Sequence, residues 1–182
     1  LMTALNAMAQ AAAAAVGEVT GTQVHVGQIV AVSPAEAIGA PGMMINRSPL
    51  APNGGHLVTV VPASGFVSAE AALDAIQLTS ALVAGATNGL AAAGGPLLQP
   101  GPPELVPTAA ALDLSGTEAY AFDLVSGSKS ITIIWVVEAT LGSLVGGSIP
   151  VDEPSTPGPA VASATLNDLG RAGTVAANRD MD

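Results

Sequence analysis

The 182 residues carry a net charge of −10 and only four cations, Arg47, Lys129, Arg171 and Arg179, which excludes binding along a nucleic-acid backbone and disfavours anionic membrane surfaces. Hydrophobic residues make up 49% of the chain but aromatic ones only 2%, so the core must be built of Ala, Val, Leu and Ile at close backbone approach, and an aromatic stacking surface is excluded. The absence of cysteine removes disulfides and thiolate metal sites and suits a cytoplasmic protein.

Met2 to Val16 is Ala-rich, lacks Pro and Gly, and is followed by Gly17; it predicts a helix ending there. It has no basic flank and carries Asn6 and Gln10, so it is not a secretory signal. No apolar run approaches the ~20 residues of a membrane span, so direct insertion is not expected. Gln23 to Val32 is Val-rich and alternating and predicts one strand, broken by Ser33-Pro34. Gly42 to Leu50 predicts a second strand, and His56 to Val61 a third. Asn53-Gly54 between them is a hairpin signal.

A second long helix is predicted from about Ser68, its cap, with Glu70 in the first turn, to about Ala93, where Gly94-Gly95 stops it. Pro96 to Pro107 reads as extended. Tyr120 to Val125 and Ile131 to Val137 form another hairpin around Ser126-Gly127-Ser128, and Ala139 to Val145 a short closing helix. The order helix, extended segment, hairpin therefore occurs twice. Val60-Val61-Pro62-Ala63 matches Val136-Val137-Glu138-Ala139 at an offset of 76, and the helices match near Asn6 and Ser80. Two such units, each with one apolar sheet face, can pair into a pseudo-two-fold domain. Its class is α+β, spanning residues 1–148, with an antiparallel sheet and the two long helices packed together. Residues 149–182, with Pro154, Pro157, Pro159 and scattered acids, read as a flexible acidic linker.

Motifs that carry chemistry are absent: there is no phosphate-binding glycine loop, dinucleotide fingerprint or nucleophile elbow. His25 and His56 lie on different predicted strands without further ligands at zinc spacing and read as half-exposed strand residues. Glu18, Glu36, Glu70, Asp74, Glu104, Asp113, Glu118, Asp123 and Glu138 are scattered and read as solvated. Lys129 reads as an exposed turn residue and Trp135 as a core aromatic. No catalytic, cofactor or metal residue is assigned.

The small-residue helix followed by Gly21-Thr22-Gln23-Val24, the second helix followed by Pro102-Pro103-Glu104-Leu105, and the final ITIIWVVEATLGSLVGG resemble the CheC/FliY family of flagellar switch proteins over residues 1 to about 147. In FliN-type members such a domain leads through a linker to a small β-domain. Asn178 to Asp182 resemble the opening of that β-domain, so the chain, which starts at Leu1, reads as the upstream portion of a FliN/FliY-like protein.

The resemblance implies a non-enzymatic docking module of the motor switch, cytoplasmic and at the membrane face of the flagellar base. Its partners would be other switch proteins, a response regulator, or further copies of itself. Phosphatases of the CheC type carry a Glu and, three residues later, an Asn on each helix. The corresponding positions here are Thr3 and Asn6, then Gln77 and Ser80, so only Asn6 conforms. The alternatives are a phosphatase of a phosphorylated regulator and a protein-binding domain of another kind.

Overall fold

The computed structural model describes residues 2–68 and 71–145. Glu70 and the segment read as a linker, 149–182, lie outside the described residues.

The first helix, α1 (Met2–Thr20), buries Leu5, Met8, Ala9, Ala12, Ala13, Val16 and Thr20, a stripe at three- and four-residue spacing. It runs through Gly17, contrary to the expected stop. Gly17 serves a close approach instead: a Cβ there would lie 2.7 Å from the Thr22 carbonyl oxygen. The helix ends at Gly21, whose φ of +71° suits glycine.

The single strand expected over 23–32 is two short ones, β1 (His25–Val26) and β2 (Val30–Val32), both paired with the later strand Glu118–Ser126. Three residues, 27–29, stand opposite two, 122–123, so the register slips by one across a bulge. Gly27 still donates to the Asp123 carbonyl at 2.8 Å. Ser33-Pro34 opens a short helix, α2 (Pro34–Ile38), rather than only breaking a strand; proline fits a first helical turn, where its missing N–H costs nothing.

The predicted hairpin is β3 (Met43–Ala51) and β4 (His56–Pro62), turned at Asn53 with φ 63°. The second long helix begins later than expected. Before it, β5 (Phe66–Val67) pairs with β6 (Ala72–Leu73), and the Ser68 hydroxyl hydrogen-bonds the Ala71 backbone. α3 (Ala75–Ala92) is capped by Asp74: its carboxylate accepts from the Gln77 amide, and the Gln77 side chain accepts from the Asp74 amide.

Beyond α3 the chain is extended as β7 (Gln99–Pro100) and β8 (Glu104–Leu105), both paired with β3. Then come the second hairpin, β9 (Glu118–Ser126) with β10 (Lys129–Val137), and α4 (Ala139–Val145), as the sequence predicts.

The principal sheet runs β1/β2, β9, β10, β4, β3, β7/β8, with all pairings antiparallel. The two hairpins sit side by side at its centre through β10 and β4. Each outer strand pairs with the hairpin of the other half: β1/β2 with β9, and β7/β8 with β3. One face is covered by α1 and α3, with Leu57, Val61, Phe122, Leu124, Ile133 and Trp135 among the residues between. The other face buries Ile45, Val58, Val60, Ile134 and Val136 beneath Ala37 and Ile38 of α2 and the segment bearing Val106, Leu112 and Leu114.

Candidate functional site

α1 and α3 pack antiparallel, and their contact depends on missing side chains. A Cβ on Gly85 would lie 2.5 Å from the Ala11 carbonyl oxygen, and one on Gly89 would lie 2.8 Å from the Met8 Cα. The Ala- and Gly-rich composition is thus used to bring two backbones together. The outward residues of the pair are Thr3, Asn6, Gln10 and Ala14 on α1, and Gln77, Ser80, Ala84 and Asn88 on α3. All are exposed and uncharged. Within the two helices the only charged residue is Glu18, in the last turn of α1.

The positions corresponding to a phosphatase pair are therefore on the surface, one helical turn apart on each helix. Gln77 is occupied as the third residue of the α3 capping box. Thr3, Asn6 and Ser80 present only hydroxyl or amide groups. Such a face can hydrogen-bond a partner but offers no carboxylate to position an attacking group.

A second cluster was not legible in the sequence. It lies on the opposite sheet face, where Arg47 of β3, His56 of β4 and Glu138, just after β10, converge. The Arg47 Nη2 lies 3.2 Å from His56 Nδ1. Glu138 Oε1 stands 3.6 Å from that Nδ1, and its Oε2 stands 3.8 Å from Arg47 Nη2. At that distance and partial exposure the ion pair contributes under about 1 kcal/mol. Arg47 and His56 straddle the Asn53 turn, which was the one signal for their meeting; Glu138 comes from the other half of the chain.

Beside this cluster a cleft of about 370 Å³ is lined by Arg47, Asp113, Ser115, Thr117, Glu138 and Thr140, with Ala111, Leu112 and Ala139. Asp113 is held below the usual carboxylate range, first by the Ser115 amide donating to its Oδ1 at 2.9 Å, then by the Ser115 hydroxyl. Of the other residues singled out by sequence, His25 is an exposed strand residue, Trp135 is buried against Phe122, and Lys129 begins β10 rather than sitting in the turn. Among the described residues no three of His, Asp and Glu are placed to hold a metal ion, and no helix is long and apolar enough to cross a membrane.

No protein-family model matches the sequence, and no curated protein sequence does. Solved structures do. The chain is similar to the FliM middle domain from H. pylori, at TM-score 0.55 and 11% identity over 79% of this chain and 92% of that one. It is similar to a FliG–FliM complex chain from H. pylori, at TM-score 0.56 and 10% identity over 79% and 93%. It is similar to FliY of Thermotoga maritima, at TM-score 0.54 and 15% identity over 78% and 87%. At these identities the likeness is one of fold: the α+β pseudo-two-fold architecture expected from the sequence is the architecture of the FliM middle domain and of FliY.

Proposed function

We propose that this chain is a non-enzymatic docking module of a flagellar motor switch, cytoplasmic and located at the membrane face of the flagellar base. The observation that carries the reading is the outer surface of α1 and α3. It is exposed, nearly free of charge, and bears Thr3 and Gln77 where a phosphatase of the CheC type needs an acid. A neutral surface of small side chains suits packing against another protein, because little must be desolvated when it is covered. The fold shared with FliM and FliY supports the same reading, as does the FliM structure solved bound to FliG. On this reading the partners are other switch proteins, and FliN/FliY-type membership is the finer form of it.

The alternative is dephosphorylation of a response regulator. One observation favours it: Asn6 is exposed and stands where the CheC-type amide would. The test is direct. Purified chain is mixed with a FliG-type protein and, separately, with an acyl-phosphorylated regulator. The docking reading expects a stable complex with the first and an unchanged decay rate of the second. Faster decay that is lost in Asn6→Ala, with no complex, overturns it in favour of the phosphatase.

A further inference from the structure

α3 carries a row of exposed residues at four-residue spacing, Ile76, Ser80, Ala84 and Asn88. Beside its second half lies a groove of about 320 Å³, formed by Ala84, Thr87 and Asn88 against the segment 97–100. Leu97 lines this groove and is 72% exposed, more than any other large hydrophobic side chain among the described residues. We propose that this flank of α3 pairs two copies of the chain antiparallel about a two-fold axis, with Ile76 of each copy seated in the groove of the other.

Charge selects the occupant. The chain has a net charge of −10, yet no charged residue occurs from Ala75 to Pro103. A basic partner finds nothing to pair with on this stretch. A second copy is itself acidic, and here it is spared the like-charge contacts that oppose association.

The spacing makes the flank self-complementary. Ile76 is 40% exposed and precedes the middle of the groove by about ten residues, or about 15 Å along the helix. In an antiparallel pair the two-fold axis then crosses α3 halfway, between Ser80 and Ala84. Both are small, so the two helix axes can approach to about 8 Å. Each Ile76 reaches the other copy's groove and its Leu97, and the same contact forms twice, as a two-fold interface requires. The groove makes little polar demand on an apolar side chain, because the Thr87 hydroxyl already donates to the Ala84 carbonyl at 2.9 Å.

The test is sedimentation equilibrium of the full chain alone, over a wide range of concentration and at low and high sodium chloride. It needs no switch protein, so this proposal and the docking reading fail separately. The expected result is a monomer–dimer equilibrium that salt strengthens, since screening relieves the net repulsion and no ion pair is lost. Ile76→Glu and Ala84→Glu each set two carboxylates into the interface and are expected to weaken the dimer about tenfold or more. Both sites are exposed and glutamate is a good helix former, so the variants stay folded, which unchanged far-ultraviolet circular dichroism confirms. Val30→Glu, at an exposed site on the sheet edge, is expected to leave the dimer unchanged. Because the chain has no cysteine, a single introduced thiol reads the geometry: Ser80→Cys is expected to form an interchain disulfide faster than Ser130→Cys at the tip of the second hairpin. A monomer at every concentration, a dimer dissolved by salt, loss of the dimer in Val30→Glu in place of the α3 variants, or equal cross-linking through both cysteines overturns the proposal.

Discussion

Thr59 and Trp135 face each other across the two central strands, and each is the other's counterpart in the 76-residue repeat. The pseudo-two-fold axis therefore passes between them. On the helix layer it passes between Ala11 and Gly85, which touch and stand in the same relation as Asn6 and Ser80. Both levels of the axis are tight, and Thr59, Trp135 and Gly85 are buried, which makes them sensitive probes of the fold.

Gly85→Ala is expected to destabilise the protein by about 1–3 kcal/mol, the usual cost of overpacking. In an isolated helix the same change stabilises by up to about 1 kcal/mol, so the sign itself is diagnostic. The added methyl meets the backbone of Ala11 and Ala12, which cannot turn aside as a side chain would. Urea unfolding decides it: a midpoint at or above that of the parent means the helices are not in backbone contact at this point.

Two neighbouring polar residues are expected to behave oppositely. Asn46, Thr59 and Trp135 form one row across β3, β4 and β10 under α3, all buried. Asn46 Nδ2 donates to Thr79 Oγ1 at 3.0 Å, which in turn donates to the Ala75 carbonyl. The Thr59 hydroxyl and the Trp135 Nε1 are buried without a hydrogen bond in the described residues. Thr59→Val removes an unpaired hydroxyl at nearly constant shape and is expected to be neutral or stabilising by up to about 1 kcal/mol. Asn46→Ala breaks the link to α3, leaves a cavity, and is expected to cost about 2 kcal/mol or more. Chemical denaturation followed by Trp135 fluorescence reports both; a loss in Thr59→Val as large as in Asn46→Ala rules the distinction out.

Tyr120 gives the stability an alkaline limit. Burial, then its hydrogen bond to the Glu118 carboxylate and the charge on that group, push its phenol up to about 12. The folded state thus favours the protonated phenol. The stability this supplies is complete below an unfolded value of about 10 and is lost as pH rises toward about 12. Tyr120 is the only tyrosine, so near-ultraviolet absorbance reads it alone. The expected titration has its midpoint near 12 in the folded chain and shifts down in denaturant. Identical midpoints in the two states would show that the ring is not held as described.

The helix surface is expected to be silent toward an acyl-phosphorylated regulator, and Thr3→Glu is expected to awaken it. The substitution places a carboxylate one turn from Asn6 on an exposed face, the spacing at which an acid and an amide can position water. Because Thr3 is exposed, stability is expected to change by no more than about 0.5 kcal/mol. Regulator decay is the readout. Parent activity equal to that of Thr3→Glu would show that the rate does not depend on this pair.

Much of this architecture could be read from residue order. Both hairpins, α4 and the repeat follow from alternation, turn glycines and an offset that low aromatic content did not disguise. The errors have local causes. Gly17 looks like a stop, yet it is a point of close approach inside the helix, and Gly27 reads as part of one continuous strand where the structure has a bulge. Ser68 looks like a cap, but Asp74 and Gln77 form the capping box, and the short strand Ala72–Leu73 pairs back on Phe66–Val67 before the helix starts. The Arg47–His56–Glu138 cluster needed the strand order. Nothing in the spacing of Glu138 announces that β10 lies next to β4, which carries it to the first hairpin.

The crossed placement of the outer strands bears on how the chain can be divided. A cut between Ser68 and Ala71 would leave each piece holding a strand that fits only on the other piece's hairpin, and an unpaired edge on its own. Neither fragment is then a small version of the domain. Mixed together they are complementary and can rebuild the sheet as a two-chain assembly, whereas kept apart each can satisfy its bare edge only by pairing with its own kind.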